Sequence, residues 1–139
     1  MAHDHNGNLM LLSGRRILIV EDQFLVALHT ADVLEGLGCE IVGPAPRVGE
    51  ALDLARTEML DAAILDINLA GEMVWPVAAE LKSKNVPFLF LSAYSQDFKM
   101  PLTFSNIVRL EKPLNDVLLR RALATMLEFR EKPFSELNI

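Results

Sequence analysis

The stretch Ile17-Leu18-Ile19-Val20-Glu21-Asp22 places an apolar, β-branched run directly before two carboxylates. A second run of similar design, Ala62-Ala63-Ile64-Leu65-Asp66, also ends on a carboxylate. Three more short runs, at 40–43, 87–91 and 107–110, complete the pattern. Four of the five runs are nearly continuous in apolar residues, which is typical of strands that are buried on both faces of a parallel sheet.

Segments with a helical period separate these runs. Apolar residues recur every three or four positions between successive runs, and in the first helix the predicted core face contains Phe24, Leu25, Leu28, Ala31 and Leu34. Residues 95–106 lack this period, so the fourth helix is expected to be weak or irregular, and a last helix is predicted over 114–129. Trp75 is expected on a helix surface. The alternation predicts an α/β fold with a parallel sheet covered by helices.

Length and charge limit the function classes. The chain has 139 residues and a formal net charge of −6, which predicts one acidic domain with little attraction to nucleic acid. We expect a flexible leader over 1–14, the domain over 15–130 and a tail over 131–139. Neither a signal peptide nor an apolar run of membrane length is evident, which favours the cytoplasm.

Cys39 is the single cysteine, so an intramolecular disulfide is excluded and the thiol is expected in the core.

The candidate site lies at the carboxyl ends of the predicted strands, where parallel α/β sheets bind their ligands. Three carboxylates, one hydroxyl and one ammonium follow four separate strands: Glu21, Asp22, Asp66, Ser92 and Lys112. Three carboxylates at one rim repel one another, and oxygen ligands suit a hard divalent cation such as Mg²⁺. Together these groups are the parts needed to transfer a phosphoryl group to Asp66.

With Leu91-Ser92-Ala93 and Lys112-Pro113 added, these stretches resemble the receiver domain of two-component response regulators. The resemblance covers about residues 15–130 and implies a flavodoxin-like, doubly wound sheet with its five strands in the order 2-1-3-4-5. It implies that Asp66 is the phospho-acceptor. It also implies a site for Mg²⁺ or Mn²⁺ formed by Glu21, Asp22, Asp66 and Asn68, and phosphoryl contacts from Ser92, Ala93 and Lys112.

A narrower resemblance involves Pro87-Phe88-Leu89-Phe90-Leu91-Ser92-Ala93-Tyr94, which is similar to the Pro-Phe-x-Phe-Ala-Thr-Gly-Tyr signature of the FAT GUY receivers. It implies a stand-alone receiver whose donor is a sensor histidine kinase, of the HWE or HisKA2 type, or a histidine phosphotransfer protein. The chain departs from the family pattern at Arg109, which stands in place of the usual switch aromatic. Tyr94 and Arg109 are therefore both candidate switch residues.

The leading interpretation is a phospho-accepting switch, with at most self-phosphotransfer and autodephosphorylation as its own chemistry. Two alternatives stay open, a phosphorylation-independent interaction module and an aspartyl-phosphate phosphatase, although Asp66-Ile67-Asn68 lacks the second acid of such phosphatases. The output is expected to be a protein partner, with no role for nucleic acid or membrane. Because the last helix is apolar on more than one face, it is expected to bind a partner or to form a homodimer, unless the tail covers it through Phe134 and Leu137.

Overall fold

The computed structural model describes residues 12–93 and 99–128. Tyr94, most of the leader and the tail lie outside the described residues. The strands are β1 (Arg16–Val20), β2 (Glu40–Ala45), β3 (Ala62–Asp66), β4 (Asn68–Leu69), β5 (Glu72–Met73), β6 (Phe88–Ser92) and β7 (Arg109–Glu111). The α-helices are α1 (Phe24–Gly36), α2 (Val48–Thr57), α3 (Trp75–Ser83) and α4 (Asp116–Leu127).

Five of the strands form one parallel sheet in the order β2-β1-β3-β6-β7. This confirms the predicted doubly wound α/β fold. The central strands β3 and β6 are buried along their whole length, as their continuous apolar sequences predict. The last strand begins at Arg109 and not at Ile107, because the Ile107 amide still donates to the Phe104 carbonyl in the preceding turn (3.1 Å).

Helices cover both faces of the sheet and create two cores. Alternate residues of β1 point to opposite faces, so Leu18 and Val20 join the core under α2 and α3, whereas Ile17 and Ile19 join the core under α1 and α4. Leu12 is fully buried in the second of these cores. Within the leader predicted over 1–14, Leu12 thus packs into the core of the domain.

The predicted core face of α1 is wrong at its first three residues, whereas Leu34 is buried as predicted and Ala31 packs against the core. Phe24, Leu25 and Leu28 are 76%, 74% and 46% exposed, and the helix buries Ala27, Thr30 and Leu34. Apolar residues occur on most sides of this helix, so its period does not single out one face. The residues that face the domain in the first turns of the helix are therefore the small Ala27 and Thr30, whereas the large side chains lie in solvent.

The weak fourth helix takes the form of a short 3₁₀ turn, Leu102–Phe104, within the described part of 95–106. Phe104 is buried and packs against Trp75, Phe88 and Phe90 with ring centroids 5.9, 6.1 and 6.0 Å away. The expectation that Trp75 lies on a helix surface is therefore wrong, because its ring completes an aromatic cluster. This cluster connects α3 and β6 with the turn that precedes β7.

The last helix begins at Asp116, two residues later than predicted, because Asn115 caps it. The Asn115 side-chain oxygen accepts a hydrogen bond from the Leu118 amide (3.0 Å). One face of the helix buries Leu119, Leu123 and Leu127, whereas Val117 and Leu118 are about half exposed. Neither this helix nor any other in the described part of the chain combines the length and apolarity needed to cross a membrane.

Candidate functional site

Three carboxylates meet at the carboxyl edge of the sheet. Glu21 and Asp22 directly follow β1, Asp66 ends the neighbouring strand β3, and each contributes an oxygen that lies within 4.8 Å of the other two. Glu21 and Asp66 are buried, with exposures of 3% and 4%. Burying like charges this close together is unfavourable, so the site requires positive charge.

The Lys112 ammonium supplies part of that charge. Its Nζ donates to Glu21 Oε2 (3.0 Å), to Gln23 Oε1 (3.1 Å) and to Asp66 Oδ2 (3.2 Å). The backbone of Lys112 is held beside β6, because its amide donates to the Ser92 carbonyl at the end of that strand (2.8 Å). One ammonium therefore faces three carboxylates, which leaves an excess of negative charge at this edge of the sheet.

This excess of negative charge affects the pKa of Asp66. Burial, together with the hydrogen bond and the charge of Glu21, raises the pKa of Asp66 well above its ordinary value, to about 8, although Lys112 acts to lower it. The carboxyl group is therefore protonated more readily than an ordinary aspartate in the absence of further cations. A cation that binds beside it favours the ionised, nucleophilic form.

The donor set fits a divalent cation of the Mg²⁺ type. Its three side chains offer only oxygen ligands, and Glu21 Oε1 is buried without a well-directed hydrogen bond from the described residues, although Lys112 Nζ lies 3.0 Å away. Asn68 lies next to this set, since its amide donates to Asp66 Oδ1 (3.3 Å). The Asn68 side-chain oxygen accepts from the Gly71 amide (2.7 Å), so its side chain already serves the β4–β5 turn.

An open cavity of about 250 Å³ lies above these groups. Its lining residues are Asp22, Gln23, Asp66, Asn68, Ala70, Gly71, Ala93 and Lys112. Ser92 is buried directly before Ala93, at the end of β6. Arg109 lies exposed in β7 and is not among the described residues that line the cavity. The structure therefore brings the predicted acidic groups, Asn68, Ala93 and Lys112 together, with Ser92 directly behind them.

Sequence reasoning missed two features of the cavity wall. Gln23 lines the cavity and contacts Lys112, and the signal that was available is its position directly after Asp22 at the end of β1. The turn of the β4–β5 hairpin was also missed. Ala70 and Gly71 adopt φ values of 53° and 95° there, and both residues face the cavity. Adjacent residues with positive φ are typical of a tight hairpin turn, which an Ala-Gly pair predicts only weakly.

The sequence profile of the response regulator receiver domain matches residues 17–124. The chain belongs to this family. Receiver domains act in two-component signalling, where they take phosphoryl groups from histidine kinases or phosphotransfer proteins and work as regulators, not as classical enzymes. Among curated proteins, the chain is similar to the transcriptional regulatory protein PdtaR of Mycobacterium tuberculosis, with 37% identity over 83 residues. That match covers 59% of this chain and 40% of PdtaR, so the chain spans about two fifths of that relative.

Two solved structures are similar to this chain in fold. SdrG from Sphingomonas melonis Fr1 has 36% sequence identity and a TM-score of 0.73, and the match covers 84% of this chain and 98% of SdrG. The receiver domain of the sensor histidine kinase PA1611 from Pseudomonas aeruginosa PAO1 shares the fold, with a TM-score of 0.73 and 22% identity over 84% of this chain and 99% of that domain. In the PA1611 domain a magnesium ion is coordinated in the active-site cleft.

Proposed function

We propose that this chain works as a stand-alone, cytoplasmic receiver that takes a phosphoryl group onto Asp66 from a phosphohistidine and then changes its protein-binding surface. The observation that carries the proposal is the position of Asp66. Its carboxyl group ends a central strand, lines an open cavity and contacts a lysine ammonium at 3.2 Å. A nucleophile placed this way can be reached by a donor on another protein.

The chemistry assigned to the site is an in-line displacement at phosphorus. A carboxylate oxygen of Asp66 bonds to phosphorus while the bond from phosphorus to the donor imidazole breaks, and the imidazole nitrogen leaves with the electron pair and takes up a proton. Lys112, the Ser92 hydroxyl and the Ala93 amide are proposed to contact the phosphoryl oxygens. Glu21, Asp22, Asp66 and Asn68 would hold Mg²⁺ or Mn²⁺, which neutralises negative charge on the phosphoryl group when bound.

The surface next to the cavity supports docking of a protein donor. On α1, directly after Gln23, Phe24 and Leu25 are exposed by 76% and 74%. α4 lies beside α1, since His29 contacts Asp116 at 3.3 Å, and it adds the half-exposed Val117 and Leu118. Large apolar side chains grouped at the rim of a site are typical of a protein-binding surface. We propose that this α1–α4 face receives the phosphohistidine donor.

The subgroup, the type of donor, the switch residue and the homodimer are supported by fewer residues than the acceptor site. Membership of the FAT GUY subgroup, and a donor of the HWE or HisKA2 type, rest on residues 87–94 alone. A switch role for Tyr94 or Arg109 and a homodimer through the last helix both stay predictions. Among the alternatives, the interaction module would leave the buried carboxylates unexplained, and the phosphatase would need a second acid that Asn68 does not supply.

Intact mass measurement after incubation with acetyl phosphate and Mg²⁺ tests the proposal. The wild type is expected to gain one phosphoryl group and Asp66→Asn none, whereas Asp32→Asn, which removes an exposed carboxylate on α1, is expected to behave like the wild type. An equal gain in wild type and Asp66→Asn would refute the assignment of the acceptor. No gain with any donor, and no response to beryllofluoride, would favour the interaction module. Rapid turnover of generic phosphate esters would favour the phosphatase.

A further inference from the structure

Gln23 occupies the N-cap position of α1, but its side chain does not cap the helix. An N-cap side chain usually accepts a hydrogen bond from an amide in the first helical turn. Here the backbone carbonyl of Gln23 begins the helix by accepting from the Ala27 amide (2.9 Å), and the side-chain oxygen accepts from Lys112 Nζ (3.1 Å). The side chain is therefore directed to the cavity and is not needed by the helix.

The three acceptors of Lys112 differ in charge and position. Glu21 and Asp66 are buried carboxylates that attract the ammonium inward, whereas Gln23 is a neutral, exposed acceptor in the cavity wall. A neutral amide oxygen fixes the direction of an ammonium without adding negative charge, which would repel an incoming phosphate. Without this acceptor, Lys112 would retain only the two buried carboxylates among the hydrogen-bond acceptors that the structure describes for its Nζ.

We propose that Gln23 is a positioning residue that holds the Lys112 ammonium toward the cavity and thereby speeds phosphoryl transfer to Asp66. This inference rests on the proposed function. With acetyl phosphate as donor, a carboxylate oxygen of Asp66 bonds to phosphorus, the bond from phosphorus to the acetate oxygen breaks, and acetate leaves with the electron pair without any proton transfer. Negative charge on the equatorial phosphoryl oxygens is then stabilised by an ammonium that is already in place.

Gln23→Met is the informative variant, because methionine keeps the length of the side chain and removes the acceptor. At saturating Mg²⁺ we expect the rate of phosphorylation by acetyl phosphate to fall about three- to ten-fold, as for the loss of one partly exposed hydrogen bond to a charged group. Affinity for beryllofluoride, a phosphoryl analogue that needs no covalent transfer from a donor, is expected to fall by a similar factor. The melting temperature should stay close to that of the wild type, since the helix does not use this side chain.

A double-mutant cycle with Lys112→Ala shows whether Gln23 acts through the ammonium. In the Lys112→Ala background, Gln23→Met is expected to change neither the phosphorylation rate nor beryllofluoride binding. An unchanged rate in Gln23→Met alone, or an equal loss with and without Lys112, would overturn the inference. Failure of the wild type to accept any phosphoryl group would instead refute the proposed function, so the two failures are distinguishable.

Discussion

Replacing Asp66 with asparagine is expected to stabilise the protein when divalent metal is absent. Asparagine keeps the shape of the side chain and removes one of three crowded carboxylates. Lys112 keeps two of its hydrogen-bond acceptors in this variant, because its bonds to Glu21 and Gln23 remain. Asp66→Asn should therefore raise the free energy of unfolding. Loss of an ordinary buried ion pair would lower it instead.

The size and pH dependence of this gain follow from the pKa of Asp66. Burial beside Glu21 raises that pKa from 3.8 to about 8, so the folded state retains a proton that the unfolded state has released. The wild type accordingly loses stability as pH rises from about 4 to about 8. The full shift would correspond to roughly 6 kcal/mol at about 1.4 kcal/mol per pKa unit. Because the carboxyl opens onto a solvated cavity, screening reduces the expected gain to about 1–3 kcal/mol at pH 8.

Urea unfolding in EDTA, followed through the fluorescence of the single tryptophan Trp75, measures this effect. The gain of Asp66→Asn over the wild type should be near zero at about pH 4 and should grow steadily to about pH 8. The exposed control Asp32→Asn should show no such growth. Mg²⁺ should stabilise the wild type more than Asp66→Asn, because it binds the ionised folded state. The reasoning is refuted if Asp66→Asn is no more stable than the wild type at pH 8 without metal.

Three further predictions concern other parts of the molecule. Asp61→Ala should lower the free energy of unfolding by about 3–5 kcal/mol in urea titrations, because it leaves the fully buried Arg15 without the carboxylate that lies 3.5 Å away; a loss below about 1 kcal/mol would contradict this. Burial raises the pKa of the Cys39 thiol to about 11, so Ellman's reagent at about pH 8 should label it only after unfolding, and rapid labelling of the native protein would show that the thiol is accessible. Ala70→Gly should raise the unfolding free energy by about 0.5–1 kcal/mol, since glycine tolerates the φ of 53° there, and a lower melting temperature would argue against strain at this turn.

Most of the fold could be predicted because the strands that carry it are buried on both faces. In a chain of this composition, short continuous apolar runs such as 17–20 and 62–65 indicate strands that are buried on both faces. The face of α1 could not be predicted, because Phe24 and Leu25 are as apolar as core residues and yet lie in solvent. A periodic pattern records which residues are apolar, but it does not record whether the sheet or another protein is to cover them.

The candidate site was predictable to a similar, partial extent. Carboxylates at strand ends are informative, since the fold brings these ends to one edge and the charges then require a cation. Gln23 carries only a weak signal, its position directly after Asp22, because a glutamine after a strand is usually a solvated loop residue. Its place in the cavity lining and its 3.1 Å contact with Lys112 became visible only in the structure.

The hairpin beside Asp66 bears on how strongly the cavity can hold a ligand. Asn68 pairs with Met73 and Leu69 pairs with Glu72, while the Val74 amide donates to the Ile67 carbonyl (2.9 Å). This wall is hydrogen-bonded to itself before anything binds. A loose loop would lose conformational entropy when a cation or a phosphoryl group binds. In this hairpin that entropy has already been lost during folding. Preorganisation of this kind makes affinity at the acceptor site depend on charge and geometry more than on the ordering of its backbone.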